Sequence, residues 1–339
     1  SSLGVGLISY CGDGSSMWTS SVTYPNVNAT SHSTNLTNFH CADTFTAMRT
    51  VNQVHWIGAE FLKMIQNKFS YSLTRPMDSS FSINCTAVGV GGISSDNRTL
   101  KMVVSNYFSS RDNAHWDSAT NTVFLWMQDT VGYPDYRMNR CNYVATIDIV
   151  GHELGHMLQT DAGNEMTYYK ESGALNESFG DVIGYITERH FTKNFSTGHS
   201  LDWTHGEDIG FIGNPNYSKN PSLKYQRSLS TPELKEQPSI YEGQYWVDTK
   251  CCIDDGDGCG VHTNSGVHNH WFYLMTQGGT KYHHGKNWNV SPIGEDTLEN
   301  LVFHTFLFEL TTFSRYIDAR RGYLAAVDIL YGGNPSLKN

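Results

Sequence analysis

The chain has 339 residues, of which 39% are hydrophobic and 13% aromatic, enough to bury a large core and too many for a disordered chain. Only 17% are charged and the net charge is −10, which argues against the basic face that nucleic-acid binding needs. No apolar run approaches the ~18 residues of a membrane-spanning helix.

The chain opens SSLGVGLISY, a strand pattern with neither an initiating Met nor a charged, apolar leader, and the expectation is a mature form whose leader has been removed. Up to about residue 145 the pattern is mainly strands and turns. SVTYPNV, KMVVSNYF and NTVFLWM carry β-branched and aromatic residues between clusters of Gly, Asn, Ser and Asp. The exception is residues 51–69, where Trp56, Ala59, Phe61, Leu62 and Ile65 recur with a helical period. From residue 146 onward the pattern is mostly helical, with expected helices at 146–160, 173–191, 266–279, 296–311 and 313–332. A β-rich half followed by a helical half predicts an α+β fold of two subdomains, 1–157 and 158–339, with the border in the helix near residue 157.

The acceptor pattern N-x-S/T occurs at Asn28, Asn35, Asn84, Asn97, Asn176, Asn194, Asn216 and Asn289. So many acceptors point to a secreted, extracellular glycoprotein. Asn176 is the exception, because it lies in a helix whose neighbours are needed elsewhere. Seven cysteines, none in a C-x-x-C pair, allow up to three disulfides with one Cys left over, and their pairing is open.

His152-Glu153-Leu154-Gly155-His156 falls inside a helical pattern. At ~100° per residue the two imidazoles lie about 40° apart, so they can converge on one zinc ion with Glu153 beside it as a general base. Two histidines at i, i+4 can also simply be exposed. A third ligand is required, and the protease class with a His six residues after the second is excluded, because Ala162 stands there and Gln159 replaces the Gly. On the next helix, Glu177, Asp181 and Glu188 share one face among Leu175, Phe179, Val182, Ile183 and Ile186. The alternatives are a solvated acidic stripe or buried carboxylates that need cations or donors. Asp148, one turn before His152, is either a helix N-terminal Asp or a calcium ligand facing Glu188.

These motifs, in this order, resemble the thermolysin-like neutral metalloproteases. The resemblance rests on Asn113-Ala114-His115-Trp116, on Asp148 four residues before H-E-L-G-H, on Glu171-Ser172-Gly173-Ala174-Leu175-Asn176-Glu177 with Asp181, and on Gly260-Val261-His262-Thr263-Asn264-Ser265-Gly266. It implies a zinc helix and active-site cleft between the two subdomains. His152, His156 and Glu177 would bind one zinc, and Glu153 would be the general base. His262 and Tyr168 would stabilise the oxyanion, with Asp257 orienting His262. Asp181 would fix the tautomer of His152. Arg227 would hold the substrate carbonyl, and Asn113 and Ala114 would pair with the peptide as an added edge strand. Asp148, Glu188, Asp202 and Glu207 would bind at least one structural calcium, although Thr204 stands where the family has a Glu.

The implied activity is a secreted endopeptidase in which Glu153 assists attack by zinc-bound water, with a hydrophobic residue after the scissile bond. Ile149 and Ile209 would line the pocket for that residue. Implied partners are peptide and protein substrates and the chain's own removed propeptide, with no nucleic acid, no membrane and a monomeric state. A gluzincin aminopeptidase would carry a G-x-M-E-N-type element, which is absent. A non-catalytic, calcium-stabilised binding module would have lost Glu153 or His262, and both are present.

Overall fold

The computed structural model describes residues 6–12, 17–23, 30–34, 44–71, 73, 100–105, 113–119, 121–126, 145–195, 200–207, 226–250, 256–283 and 285–338. The chain divides into two compact units, Ser1–Met157 with Gly206–Lys224, and Leu158–His205 with Tyr225–Asn339.

In the first unit, β1 (Gly6–Gly12), β2 (Met17–Thr23), β3 (Thr30–Thr34), β4 (Leu100–Ser105), β5 (Ala114–Asp117) and β6 (Thr122–Trp126) form a sheet in the order β3-β2-β1-β4-β6-β5. β1 runs parallel to β4 and β4 to β6, while β1/β2, β2/β3 and β5/β6 are antiparallel. Ala114 opposes Leu125, and among the described residues β5 forms one edge of this sheet. Helix α1 (Thr44–Phe69) packs on β1, β2 and β4. It starts seven residues before the sequence pattern predicts, because TFTAMRT carries no apolar period of its own. Its buried face is Val54, Ile57, Phe61, Met64 and Ile65, whereas Trp56, counted above in the apolar stripe, points outward.

Helix α2 (Ile147–Ala162) crosses from the first unit into the second. The rest of the second unit is mainly helical. Helix α3 (Lys170–Asn194) is its axis, with both faces buried from Ser172 to Arg189. Such an all-round buried helix lies at the centre of a core. Phe179 stacks on Phe306 at 4.7 Å between ring centroids, and burying one such ring contributes about 1.5–3 kcal/mol. Around α3 lie the short helix α4 (Val261–Asn264), α5 (Gly266–Gln277), α6 (Glu295–His304) and α7 (Tyr316–Tyr331), and α8 (Pro335–Lys338) packs on α7.

Two helical expectations change in detail. The run expected at 296–311 is α-helical only to His304 and then makes a π-helical turn over Thr305–Glu309, closed by the Leu310 N–H donating to Thr305 at 3.0 Å. Helix α7 starts at Tyr316, not 313, because the Asp318 carboxylate accepts from the Arg315 N–H at 3.1 Å. It stops where Gly332 adopts a left-handed φ of 58°. Short strands β7 (Thr204–His205) and β8 (Arg227–Ser228) pair antiparallel, as do β9 (Gly279–His283) and β10 (Lys286–Val290), a hairpin that the helical pattern did not predict. Among the described residues no helix is long and apolar enough to cross a membrane.

Candidate active site

Helix α2 presents His152 and His156 with their Nε2 atoms 3.0 Å apart and their rings nearly perpendicular, at 88°. His152 and Glu153 are buried, and His156 is half-buried. At the start of the helix, buried Asp148 accepts hydrogen bonds from the Thr146 hydroxyl and the Gly206 N–H.

In the second unit, Glu177, Asp181 and Glu188 are each at most 2% exposed, so the acidic face of α3 is not a solvated stripe. Each carboxylate therefore needs donors or a cation. Tyr168 donates to Glu177 Oε1 at 2.6 Å and lies 2.9 Å from His262 Nε2. His262 Nε2 is also 3.5 Å from Glu177 Oε2. On its other side, His262 Nδ1 is paired closely with Asp257. The single phenol proton of Tyr168 goes to Glu177, so His262 Nε2 donates to Tyr168 while Nδ1 donates to Asp257. Both ring nitrogens then carry protons. Burial opposes this charge, but the Glu177 carboxylate and the Asp257 hydrogen bond outweigh burial, and His262 is held above its ordinary 6.5.

The closeness has a backbone cause. A Cβ at Gly173 would lie 2.4 Å from Val261 Cγ1 and 3.0 Å from the Tyr168 carbonyl carbon, so only glycine lets α4 settle on the first turn of α3. Gln237 Nε2 donates to the His262 carbonyl at 2.5 Å. Asn264 brackets Val247, accepting from its N–H and donating to its carbonyl, both at 3.0 Å.

Arg227 does not stand alone. Its Nε and Nη2 donate to Asp181 at 2.6–3.0 Å, a two-pronged grip on a fully buried carboxylate. Asn269 Nδ2 donates to Asp181 Oδ2 at 2.7 Å, and His205 Nε2 is 3.7 Å from Asp181. Burial works against the Arg227 charge, but Asp181 and then Glu177 override it and raise its pKa.

His152 and His156 stand on α2 in the first unit, and the buried carboxylates Glu177 and Asp181 stand on α3 in the second. Two imidazoles and one carboxylate are the donor set that a catalytic zinc takes. Asp202 accepts from the Thr204 N–H and hydroxyl, both at 2.6 Å, and Glu207 is half-buried. Asn113 Oδ1 accepts from the Ala114 N–H at 3.0 Å, where β5 begins.

Asn176 is buried, donates to the Met166 carbonyl at 3.1 Å and accepts from Gln159 at 3.4 Å. Asn194 and Asn289 are exposed. Asn28, Asn35, Asn84, Asn97, Asn216 and Ile209 lie outside the described residues. Cys259 is buried and disulfide-bonded.

The family model described as "Thermolysin metallopeptidase, alpha-helical domain" matches residues 164–339, more than half the chain. The chain belongs to the thermolysin metallopeptidase family. Bacillolysin of Bacillus cereus is 32% identical over 228 residues, 66% of this chain and 35% of the relative. A thermolysin of Alicyclobacillus acidocaldarius subsp. acidocaldarius is 31% identical over 223 residues, covering 66% of this chain and 36% of its own length. The match thus spans about a third of the curated thermolysin relatives. A solved precursor of protealysin, a metalloproteinase from Serratia proteamaculans, has the same fold, with a TM-score of 0.56 at 19% identity over 98% of this chain and 85% of that one.

Sequence reasoning missed several contributors to this thermolysin-like site. Asn264 stands inside the quoted G-V-H-T-N-S-G motif and was findable there. Gln237 and Asn269 carry no local signal, because their partners His262 and Asp181 are distant in sequence.

Proposed function

We propose that this chain is a secreted zinc endopeptidase. The observation that carries the reading is the convergence of Tyr168 and His262 on the buried Glu177 carboxylate, with Asp257 holding the far nitrogen of His262. His152, His156 and Glu177 would hold the zinc, and the fit of two imidazoles and a carboxylate supports that metal. Bound zinc would polarise the scissile carbonyl and acidify a water. Glu153, on the same helix as both histidines, accepts a proton from the attacking water and returns it to the leaving amine. His262, doubly protonated and half-exposed, offers Nε2–H to the developing oxyanion, and Tyr168 offers its phenol. Asp257 keeps the imidazole turned to that task. Asp181 orients a ligand histidine and anchors Arg227, which holds the substrate carbonyl.

The edge position of β5 supports backbone pairing of a peptide at Asn113 and Ala114, and hence cleavage within a chain rather than at its end. Buried Ile149 supports an apolar pocket after the scissile bond. We retain the two-subdomain division at residue 157. Exposed Asn194 and Asn289 support a glycosylated, extracellular chain, which we take as a monomer, and the likeness to a protealysin precursor supports a removable propeptide. Structural calcium at Asp148, Glu188, Asp202 and Glu207 is supported by the burial of Asp148 and Glu188. A calcium-selective chelator should lower Tm, and an unchanged Tm would remove that site from the account.

The direct test is hydrolysis of casein with and without a zinc chelator. Hydrolysis that is lost on chelation and restored by zinc supports the reading. Hydrolysis indifferent to the chelator overturns it.

A further inference from the structure

Beneath Asp181 lies a line of buried polar side chains that the proposed chemistry does not use. Ser178 on α3 is 2.6 Å from His268 Nδ1 and 2.6 Å from Asn269 Oδ1, both on α5. His268 Nε2 is 2.7 Å from the hydroxyl of Tyr323 on α7. Asn269 Nδ2 then reaches Asp181 Oδ2 at 2.7 Å. Ser178, Asn269 and His268 are at most 4% exposed, and Tyr323 is 8% exposed.

The donor direction of every link follows from the carboxylate end. Asp181, ion-paired with Arg227, only accepts, so Asn269 turns its NH2 toward it and its carbonyl toward Ser178. Ser178 must then donate to Asn269 and accept from His268 Nδ1–H. A neutral His268 with its proton on Nδ1 leaves Nε2 as an acceptor, and Tyr323 donates to it. Burial keeps His268 neutral, pushing its pKa down to about 3. Stacking between His268 and Tyr323, with rings 13° from parallel, holds the far end in plane.

We propose that Tyr323, His268, Ser178 and Asn269 form a one-way hydrogen-bond relay that positions Asp181 and, through it, the Arg227 guanidinium. This rests on the reading of Arg227 as the group that holds the substrate carbonyl. The four are positioning residues, since none of them touches substrate. A polar cluster that merely satisfied itself could end anywhere. This one ends on the carboxylate oxygen that also receives Arg227 Nε. It converts the placement of one cation into a property of three packed helices, which is how a reactive geometry is kept within a fraction of an ångström.

The test is a mutant cycle on the full chain, read as kcat and KM for a peptide, with Tm measured alongside. Ser178→Ala cuts the relay in the middle, and Tyr323→Phe removes only its terminal hydroxyl, so the latter carries the test if the former fails to fold. Each should lower kcat/KM, Ser178→Ala by about tenfold, the scale of loosening one charged hydrogen bond. In an Arg227→Lys background neither should lower it further. If Arg227→Lys lowers kcat/KM but the relay variants change only Tm, the relay is structural and the proposal falls while the Arg227 reading stands. Additive losses also overturn it. If Arg227→Lys is itself neutral, the Arg227 reading fails and the proposal with it. Independently of activity, NMR with nitrogen-labelled histidine should show His268 as the neutral Nδ1–H tautomer from about pH 5 to about pH 8. The Nε2–H tautomer would overturn the direction of the relay.

Discussion

Two clusters in the second unit hold carboxylates in opposite ways. Around Glu177, the partners are a phenol and an imidazole whose side chain is 50% exposed, and both carry protons that can move. Around Asp181, the hydrogen-bond donors named above are a guanidinium and an amide, neither of which gives up a proton near neutral pH, with the His205 imidazole farther off at 3.7 Å, and the carboxylate is fully buried. Under the proposed mechanism, the Glu177 cluster meets a charge that changes during the reaction. The Asp181 cluster is built for a charge that stays fixed and orients what it touches.

If that contrast is right, acid should attack the buried side first. His268 has a folded pKa of about 3 against 6.5 in an open chain. A group depressed on folding binds more protons unfolded. Its contribution is therefore complete above about pH 6.5 and is lost as pH falls toward about 3. Between about pH 7 and about pH 4 this amounts to on the order of 3 kcal/mol. Urea unfolding at the two pH values should show the wild type losing about that much more stability than a His268→Gln variant. Parallel profiles would mean that His268 is charged in the folded chain.

On the exposed side the same kind of change should alter rate and leave the fold intact. His262→Ala should lower kcat by about 10²–10³, the usual cost of one oxyanion donor, with Tm little changed. A large fall in Tm with an unaltered kcat would reverse the roles assigned to the two clusters.

Much of this was legible before the structure. The i, i+4 spacing placed both histidines on one face of α2, and the shared face of Glu177, Asp181 and Glu188 required either water or partners. Burial of all three decided the matter. Less legible was anything that depends on distance along the chain. His268 reads as one more ring in G-V-H-N-H-W-F-Y, and its acceptor role is set by Tyr323, 55 positions away. The π-helical turn at Thr305 and the β9–β10 hairpin were missed for a related reason. The LVFHTFLFEL run keeps an apolar helical period through the turn, and in the hairpin the only residue of intermediate or greater burial on β10 is Val290, so no alternating pattern marks it.

The smallest expected effect concerns surface chemistry. Peptide mapping after glycosidase treatment of chain made in a eukaryotic host should show glycans at Asn194 and Asn289 and none at Asn176. The Asn176 amide is committed to Met166 and Gln159 inside the core. A glycan at Asn176 would mean that α3 is exposed there, and the Glu177 assignment would fall with it.

The central claim is that α2 supplies two of the zinc ligands and the base that works beside them. The most direct measurement is zinc content and peptide hydrolysis in Glu153→Gln. The account predicts one zinc per chain, as in the wild type, with turnover reduced by at least ~10²–10⁴. A folded, zinc-loaded variant with wild-type turnover would contradict it.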